Sequence, residues 1–372
     1  MASVYKTLTA DDIASTKTLL HEAIPVTGTI VSGSYSGANI KTFAHGMFKT
    51  VYDYPYQSSS ANALFDLSIG HSVNSNASAS AVSAGTTTYL RKKINIYNQM
   101  AKVLVGSDTT GSILKFDEDG NFNNTGDSID NLFIINFSRL LAKDEIKKGS
   151  FELQLGIGTS SAAPFAATMT IKDASGSDNY KVNSPVGEYG VLYATSVSSG
   201  SIAQANPSCG LVFYQAGVAI INTNVFAISS SNTVTTSVSS NQRGLLTSAY
   251  GIPYMYTTKT VEDAFVSGSI DDVTGYFASR IKNVLINNTT ELNSTIYFCK
   301  IGNGDFNYSS NATYLSGSRI RVKNSAADAP VSYFTTIGLY SPNNELLAVA
   351  KLSEPIKKDP TNELILRVRL DY

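Results

Sequence analysis

The sequence predicts a mainly β fold with an α+β minority: antiparallel, sandwich-like sheets, a few short helices and a C-terminal β-meander. Three observations predict it. Short runs rich in Val, Ile, Phe and Tyr recur from Ala166 to Phe226, separated by Ser, Gly and Asn turns. The end of the chain, VSYFTTIGLYSPNNELLAVAKLSEPIKKDPTNELILRVRLDY (Val331 to Tyr372), holds three β-type runs. Helical spacing is confined to a few short stretches.

The terminal runs carry the clearest signal. Val331 to Tyr340 is β-branched and aromatic, and Ser341-Pro342-Asn343-Asn344 supplies a hairpin turn, with Pro342 presetting φ and Asn344 tolerating the left-handed region. In Leu346 to Leu352, Leu346, Ala348, Ala350 and Leu352 share one face while Leu347 and Val349 line the other. Both faces therefore need cover, and Leu347 and Val349 are candidate interface residues. Ser353 to Asn362, with Pro355 and Pro360, reads as a stiff surface link. In the last run Leu364, Leu366, Val368, Leu370 and Tyr372 alternate with Arg367, Arg369 and Asp371, which predicts one buried and one wet face.

From the start of the chain, Thr9 and Asp12 form a capping box that predicts a short helix over Thr9 to Ala23, stopped by Pro25. Gly28 to Tyr56 is Gly- and Tyr-rich and too open to make its own core, which predicts a docking arm with Tyr52, Tyr54 and Tyr56 as candidate interface residues. Leu64 to Gly70 reads as a strand, Val73 to Thr88 as a loop, and Ile94, Tyr97, Met100, Ala101 and Leu104 as a helix face ending at Gly106. Arg91-Lys92-Lys93 is read as its solvated start. Leu132 to Phe137 and Phe151 to Ile157 are strands on either side of a helical turn, and Ser229 to Ser240 is an exposed tract. Two short helices follow, one at Val261, Ala264 and Phe265 and one capped by Ser269 with Val273, Phe277 and Ile281 on one face. Thr295 to Ile301 resumes strand character. Three regions result: an N-terminal arm and helix (1–108), a β-rich body (109–257), and a helix pair with the meander (258–372).

Composition narrows the function. Charged residues are 15% and nearly balanced, 28 basic against 29 acidic, so no electrostatic footprint for nucleic acid or an anionic membrane exists. So low a charge density leaves little protection against self-association, which suits a permanent assembly. The N-terminus MASVYKTLTADDIAS lacks the basic and apolar regions of a signal peptide, and no run reaches the ~18 apolar residues of a membrane span. Cys209 and Cys299 are read as two free buried thiols of a protein made in the cytosol.

Catalytic frames fail on their spacing. His21, His45 and His71 each lie alone, which leaves zinc no ligand set. Gly33-Ser34-Tyr35-Ser36-Gly37 places Tyr where a nucleophile elbow needs Ser, and Gly156-Ile157-Gly158 lacks the Lys-Ser/Thr pair of a phosphate loop. Counting a calcium loop from Asp117 puts Phe122 and Ser128 where Gly and an acid are needed, so Phe116 to Asn121 reads as an acidic Gly turn. Asp271 and Asp272 fit the dipole of a helix start. The chain is read as a non-enzyme without cofactor or metal. Its 21 Tyr and 16 Phe also admit a sugar-binding surface.

Five segments carry a family resemblance: KKINIYNQMAKVLVG (Lys92 to Gly106), INFSRLLAKDEIKKGSFELQLG (Ile135 to Gly156), VNSPVGEYGVL (Val182 to Leu192), GLVFYQAGVAIINTNVF (Gly210 to Phe226) and Leu346 to Tyr372. They resemble virion structural proteins of contractile-tailed phages, especially those of marine cyanobacteria. The resemblance implies a non-enzymatic building block of the virion, made in the host cytoplasm, whose partners are other virion proteins and copies of itself. It supplies no catalytic residues. The expected place is the tail, baseplate or neck, and the alternatives are a capsid decoration protein or a carbohydrate-binding adhesin of the tail.

Overall fold

The structure is a computed structural model that describes residues 5–21, 38–73, 86–122, 128–156, 165, 168–174, 176–197, 208–223, 269–307, 315–316, 319–320, 327 and 329–372. Most of 28–40, the 229–240 tract, the 261–265 helix and the Gly33 to Gly37 motif lie outside the described residues. The fold is mainly β, with antiparallel sheets, few helices and C-terminal strands. Two compact units form, Leu20–Thr290 and the combination of Met1–Leu19 with Glu291–Tyr372. This division crosses the three consecutive regions expected from the sequence.

The chain enters through a 3₁₀ turn at Ala10–Asp12 and continues as β1 (Ile13–His21). The Thr9–Asp12 capping box exists: the Thr9 backbone N–H and hydroxyl donate to the Asp12 carboxylate at 3.0 and 2.9 Å. It closes a single turn, and the expected helix over Thr9 to Ala23 is replaced by strand. Thr16 and Thr18 are β-branched, and pairing with a neighbouring strand outweighs the local helix signal.

The larger unit carries an eleven-stranded antiparallel sheet. Its first members are β2 (Ile40–Thr42), β3 (Lys49–Tyr52), β4 (Ala63–His71) and β5 (Asn131–Phe137). After β6 (Glu145–Ile146), which lies outside this sheet, come β7 (Glu152–Gly156), β8 (Thr168–Lys172), β9 (Lys181–Ser184) and β10 (Gly187–Val197). β11 (Ser208–Phe213), β12 (Val218–Asn222) and β13 (Ile281–Leu285) complete it. The spatial order is β13-β7-β8-β10-β11-β12-β5-β4-β3-β2, with β9 on β10. Every residue of β12 is buried, and β5 is buried except at Asn136, so the centre of the sheet is covered on both faces.

Two helices supply part of that cover. α1 (Thr86–Leu104) packs on β4, and its inward stripe is Leu90, Lys93, Ile96, Tyr97, Ala101 and Leu104. It crosses where Gly70 removes a side chain, since a Cβ there would lie 3.2 Å from the Tyr97 backbone. Between Ser138 and Ile146 the chain forms one turn of helix, α2 (Arg139–Ala142), before β6. α3 (Ile270–Arg280) starts on Ser269, whose hydroxyl accepts from the Asp272 N–H at 3.0 Å, and buries Val273 and Phe277. The Phe277 ring stacks on Phe133 of β5 at 4.2 Å.

The smaller unit is organised by β14 (Asn288–Ile301), whose first residues belong to the larger unit and pair with β6. β15 (Leu315–Ser316) and β16 (Arg319–Ile320) form a small separate pair. Next are β17 (Ser332–Tyr340), β18 (Leu346–Lys358) and β19 (Leu364–Asp371). β1 and β19 flank β14, which is why the two ends of the chain share one unit. Lys300 of β14 donates to Asp12 at 2.6 Å, and this bond holds the Asp12 carboxyl down at about 2.

Three terminal strands are present, but they do not form one meander. β17 and β18 make a two-stranded ribbon, while β19 pairs with β14 from Ser294–Asp371 to Ile301–Leu364. The Asp359 turn redirects the chain, with the Asp359 N–H donating to Asn362 at 2.9 Å. β19 keeps the expected alternation and buries Val368. β18 also runs through the segment expected as a link. Pro355, which has no N–H to donate, falls in a bulge where Phe334 faces Ile356 and Thr336 faces Lys351. The predicted turn forms, with Asn344 at φ 64° and its N–H donating to Ser341 at 2.9 Å.

Gly210 tests the sheet centre most severely. A Cβ there would sit 2.1 Å from the Ile220 carbonyl oxygen of the neighbouring strand, so backbone must move. G210A is expected to lower the unfolding free energy by about 3 kcal/mol or more in urea titration, because β12 is also packed on its other side.

Candidate functional site

The candidate interface residues fall in two separate places. Leu347 and Val349 lie in the smaller unit on the ribbon, 69% and 52% exposed. Leu346, Tyr340 and Tyr333 are exposed on the same ribbon. Leu347 is the extra residue of a bulge, since Leu339 faces Ala348 and Tyr340 faces Leu346. Among the described residues β18 pairs with β17 alone, so its apolar side chains have no third strand beside them.

The base of the ribbon is anchored. Lys358 is fully buried and its ammonium donates to Asn303 O at 3.1 Å, Asn307 Oδ1 at 2.7 Å and Asp359 O at 2.8 Å. Three oxygens fill the donor capacity of a buried lysine. Ser332 also donates to the Phe306 carbonyl, and Phe334 meets Phe306 edge-on at 6.1 Å.

Tyr52, Tyr54 and Tyr56 lie in the larger unit, where the described part of the expected arm is the edge of the sheet. Val51 and Thr50 are buried, and β3 pairs with β4. Backbone bonds Tyr52 N–H to Asn39 O and Tyr56 N–H to Ala38 O, both 2.9 Å, hold this edge in place. Tyr52 is half-buried, with its ring 6.3 Å from that of Tyr56, and Tyr54 is 59% exposed.

Sequence reasoning missed a group of charges beneath the α1 start. Lys93, read as solvated, is fully buried, and burial pushes its ammonium down to about 7 against the opposing pull of Asp272. Burial likewise lowers Lys49, opposed by Asp271 and Asp272 at the start of α3. Lys92 stays at the surface and donates to the His45 carbonyl at 2.9 Å. The signal was available, because Lys93 precedes Ile96 and Tyr97 by three and four residues and so shares their face. Elsewhere in this unit the buried Asp173 accepts from the Gly149 N–H and the Tyr214 hydroxyl, both at 2.8 Å. Burial raises both Asp173 and Tyr214, and this pair anchors the turn after β8.

The remaining sequence candidates occupy structural positions. His21 bonds Thr289 at 2.9 Å, the His45 ring accepts from Met47 N–H at 3.0 Å, and buried His71 bonds Asn131 at 2.6 Å. Phe116 to Asn121 is an acidic turn with Gly120 at φ 70°. Cys209 is buried and Cys299 half-buried, neither in a disulfide. Among the described residues no group of three or more His, Cys, Asp or Glu is placed to hold a metal, and no helix is long and apolar enough to cross a membrane. A half-open cavity of about 300 Å³ is bordered by Asp66, Asn136, Ser138 and Arg139.

Lys93 makes a measurable pH dependence. Its folded value lies below the unfolded one near 10.5, so between about 7 and 10.5 the unfolded chain binds the extra proton and stability rises with pH. Wild-type stability should climb relative to K93M by up to about 1.4 kcal/mol per pH unit in that window, as read from urea midpoints at pH 7, 8, 9 and 10.

No protein-family model, curated protein or solved structure matches this chain.

Proposed function

We propose that the chain is a non-enzymatic structural subunit of a phage virion, working in the tail, baseplate or neck through subunit–subunit interfaces. The observation that carries this reading is the β17–β18 ribbon. A two-stranded hairpin is marginally stable in water unless something covers it. This one carries Leu346, Leu347 and Val349 in the open on a thirteen-residue strand. Such a ribbon suits a chain held by neighbours, where exposed apolar groups become interface core. The five segments that resemble virion proteins support the same reading, and the last of them contains β18 and β19. The partners are other virion proteins and copies of the chain itself.

Cryo-EM of intact particles tests the location. Density for the chain in the tail, baseplate or neck is expected, and density confined to the head surface would make it a decoration protein instead. Adsorption of the purified protein to host cells or glycans would favour the adhesin reading. The ribbon has its own test. L347S/V349S is expected to change the unfolding free energy of the purified chain by no more than ordinary surface substitutions do, about 0.5 kcal/mol, while sharply reducing incorporation into particles. Equal loss of both would mean that the side chains serve internal packing.

A further inference from the structure

The two edges of the ribbon are built differently. Both irregularities lengthen β18: Leu347 is extra at one bulge, and Leu352 to Pro355 stand opposite the single Thr335 at the other. β18 also exposes Lys351, Glu354, Pro355 and Lys357. Bulges, proline and charge are the devices by which proteins keep a strand edge from pairing. β17 carries neither charge nor proline: its sequence is SYFTTIGLY, and at the bulges only Thr335 lies between its paired residues. Among the described residues nothing pairs with its outer edge.

We infer that the outer edge of β17 pairs antiparallel with β17 of a second copy, giving a four-stranded sheet β18-β17-β17-β18 across a two-fold axis. This rests on the structural-subunit reading and names the partner that the reading requires. A strand pairs with itself about a two-fold only if its sequence is acceptable when read against its reverse. Centred on Thr336, the pairing sets Thr335 opposite Ile337 and Tyr333 opposite Leu339, with Thr336 facing its own copy. Aromatic–aliphatic and β-branched neighbours are favourable cross-strand pairs, and no like charges meet. The guarded β18 edges remain outermost, so growth stops at two copies instead of running on as a fibre.

Thr336 is exposed, so charge is tolerated there in the single chain. The wild-type protein should elute from size exclusion with light scattering at twice the 39.7 kDa chain mass at high micromolar concentration. T336K and T336E each set like charges face to face on the axis and should shift to the single-chain mass, with unchanged circular dichroism and with melting equal to that of wild type diluted to the single chain. An equimolar mixture should return to the double mass, because Lys then faces Glu. A variant that had merely misfolded would not recover on mixing. A wild-type monomer, or a T336K protein that stays dimeric, overturns the pairing. If the wild type is monomeric yet particles incorporate it and exclude T336K, a strand of another component fills the edge and the structural-subunit reading stands. Absence of the wild-type chain from particles would remove that reading itself.

Discussion

Burial of both faces at the centre of the large sheet is the constraint on which the rest depends. β12 and most of β5 have no wet side, so alternation of polar and apolar residues cannot set their register. Polar pins take over that task. His71 on β4 sits directly opposite Asn131 on β5 and bonds it at 2.6 Å, while Asp66 faces Asn136 on one side and accepts from Thr50 of β3 at 2.6 Å on the other. A one-residue slip would leave the buried His71, Asn131 and Thr50 without these partners, the costly alternative in a dry interior. Gly210 acts by exclusion, since only a residue without Cβ permits the observed approach of β11 and β12.

Buried charge is handled in two ways. Lys358 is surrounded by three oxygen acceptors within hydrogen-bond distance, so its ammonium keeps a full shell away from water. Lys93 instead lies on the inward stripe of α1, and its environment favours the neutral amine more strongly than water does. The first arrangement fixes where the ribbon leaves its base. The second makes the helix-covered part of the sheet gain stability as pH rises from about 7 to 10.5.

The ribbon departs from the economy of the large unit, where most strands are covered. It presents apolar side chains and an unguarded edge together, and on the proposed reading these are two aspects of one interface. Bulges along β18 show that edge protection is present where it is needed. Its absence along β17 is therefore informative about which side faces a partner.

Local chemistry was legible wherever neighbours in sequence suffice to specify it. The hairpin turn at Pro342 to Asn344, the Ser269 cap, the alternation of Leu364 to Leu370 and the apolar face of α1 follow from residues a few positions apart. Even the Thr9–Asp12 capping box was read correctly, because it is a contact over three residues. What it caps was not legible: Ile13 to His21 becomes strand because β14, nearly three hundred residues away, offers a partner. The same reason sends β19 to β14 instead of β18, and turns the region around Tyr52 from an arm into a sheet edge. Among the candidate interface residues, the two-sided apolar character of Leu346 to Leu352 was visible in the sequence, but the exposure of Leu347 and Val349 was not. Whether a second apolar face meets another strand, a helix or water depends on long-range packing, and alternation along a strand says only which side chains travel together.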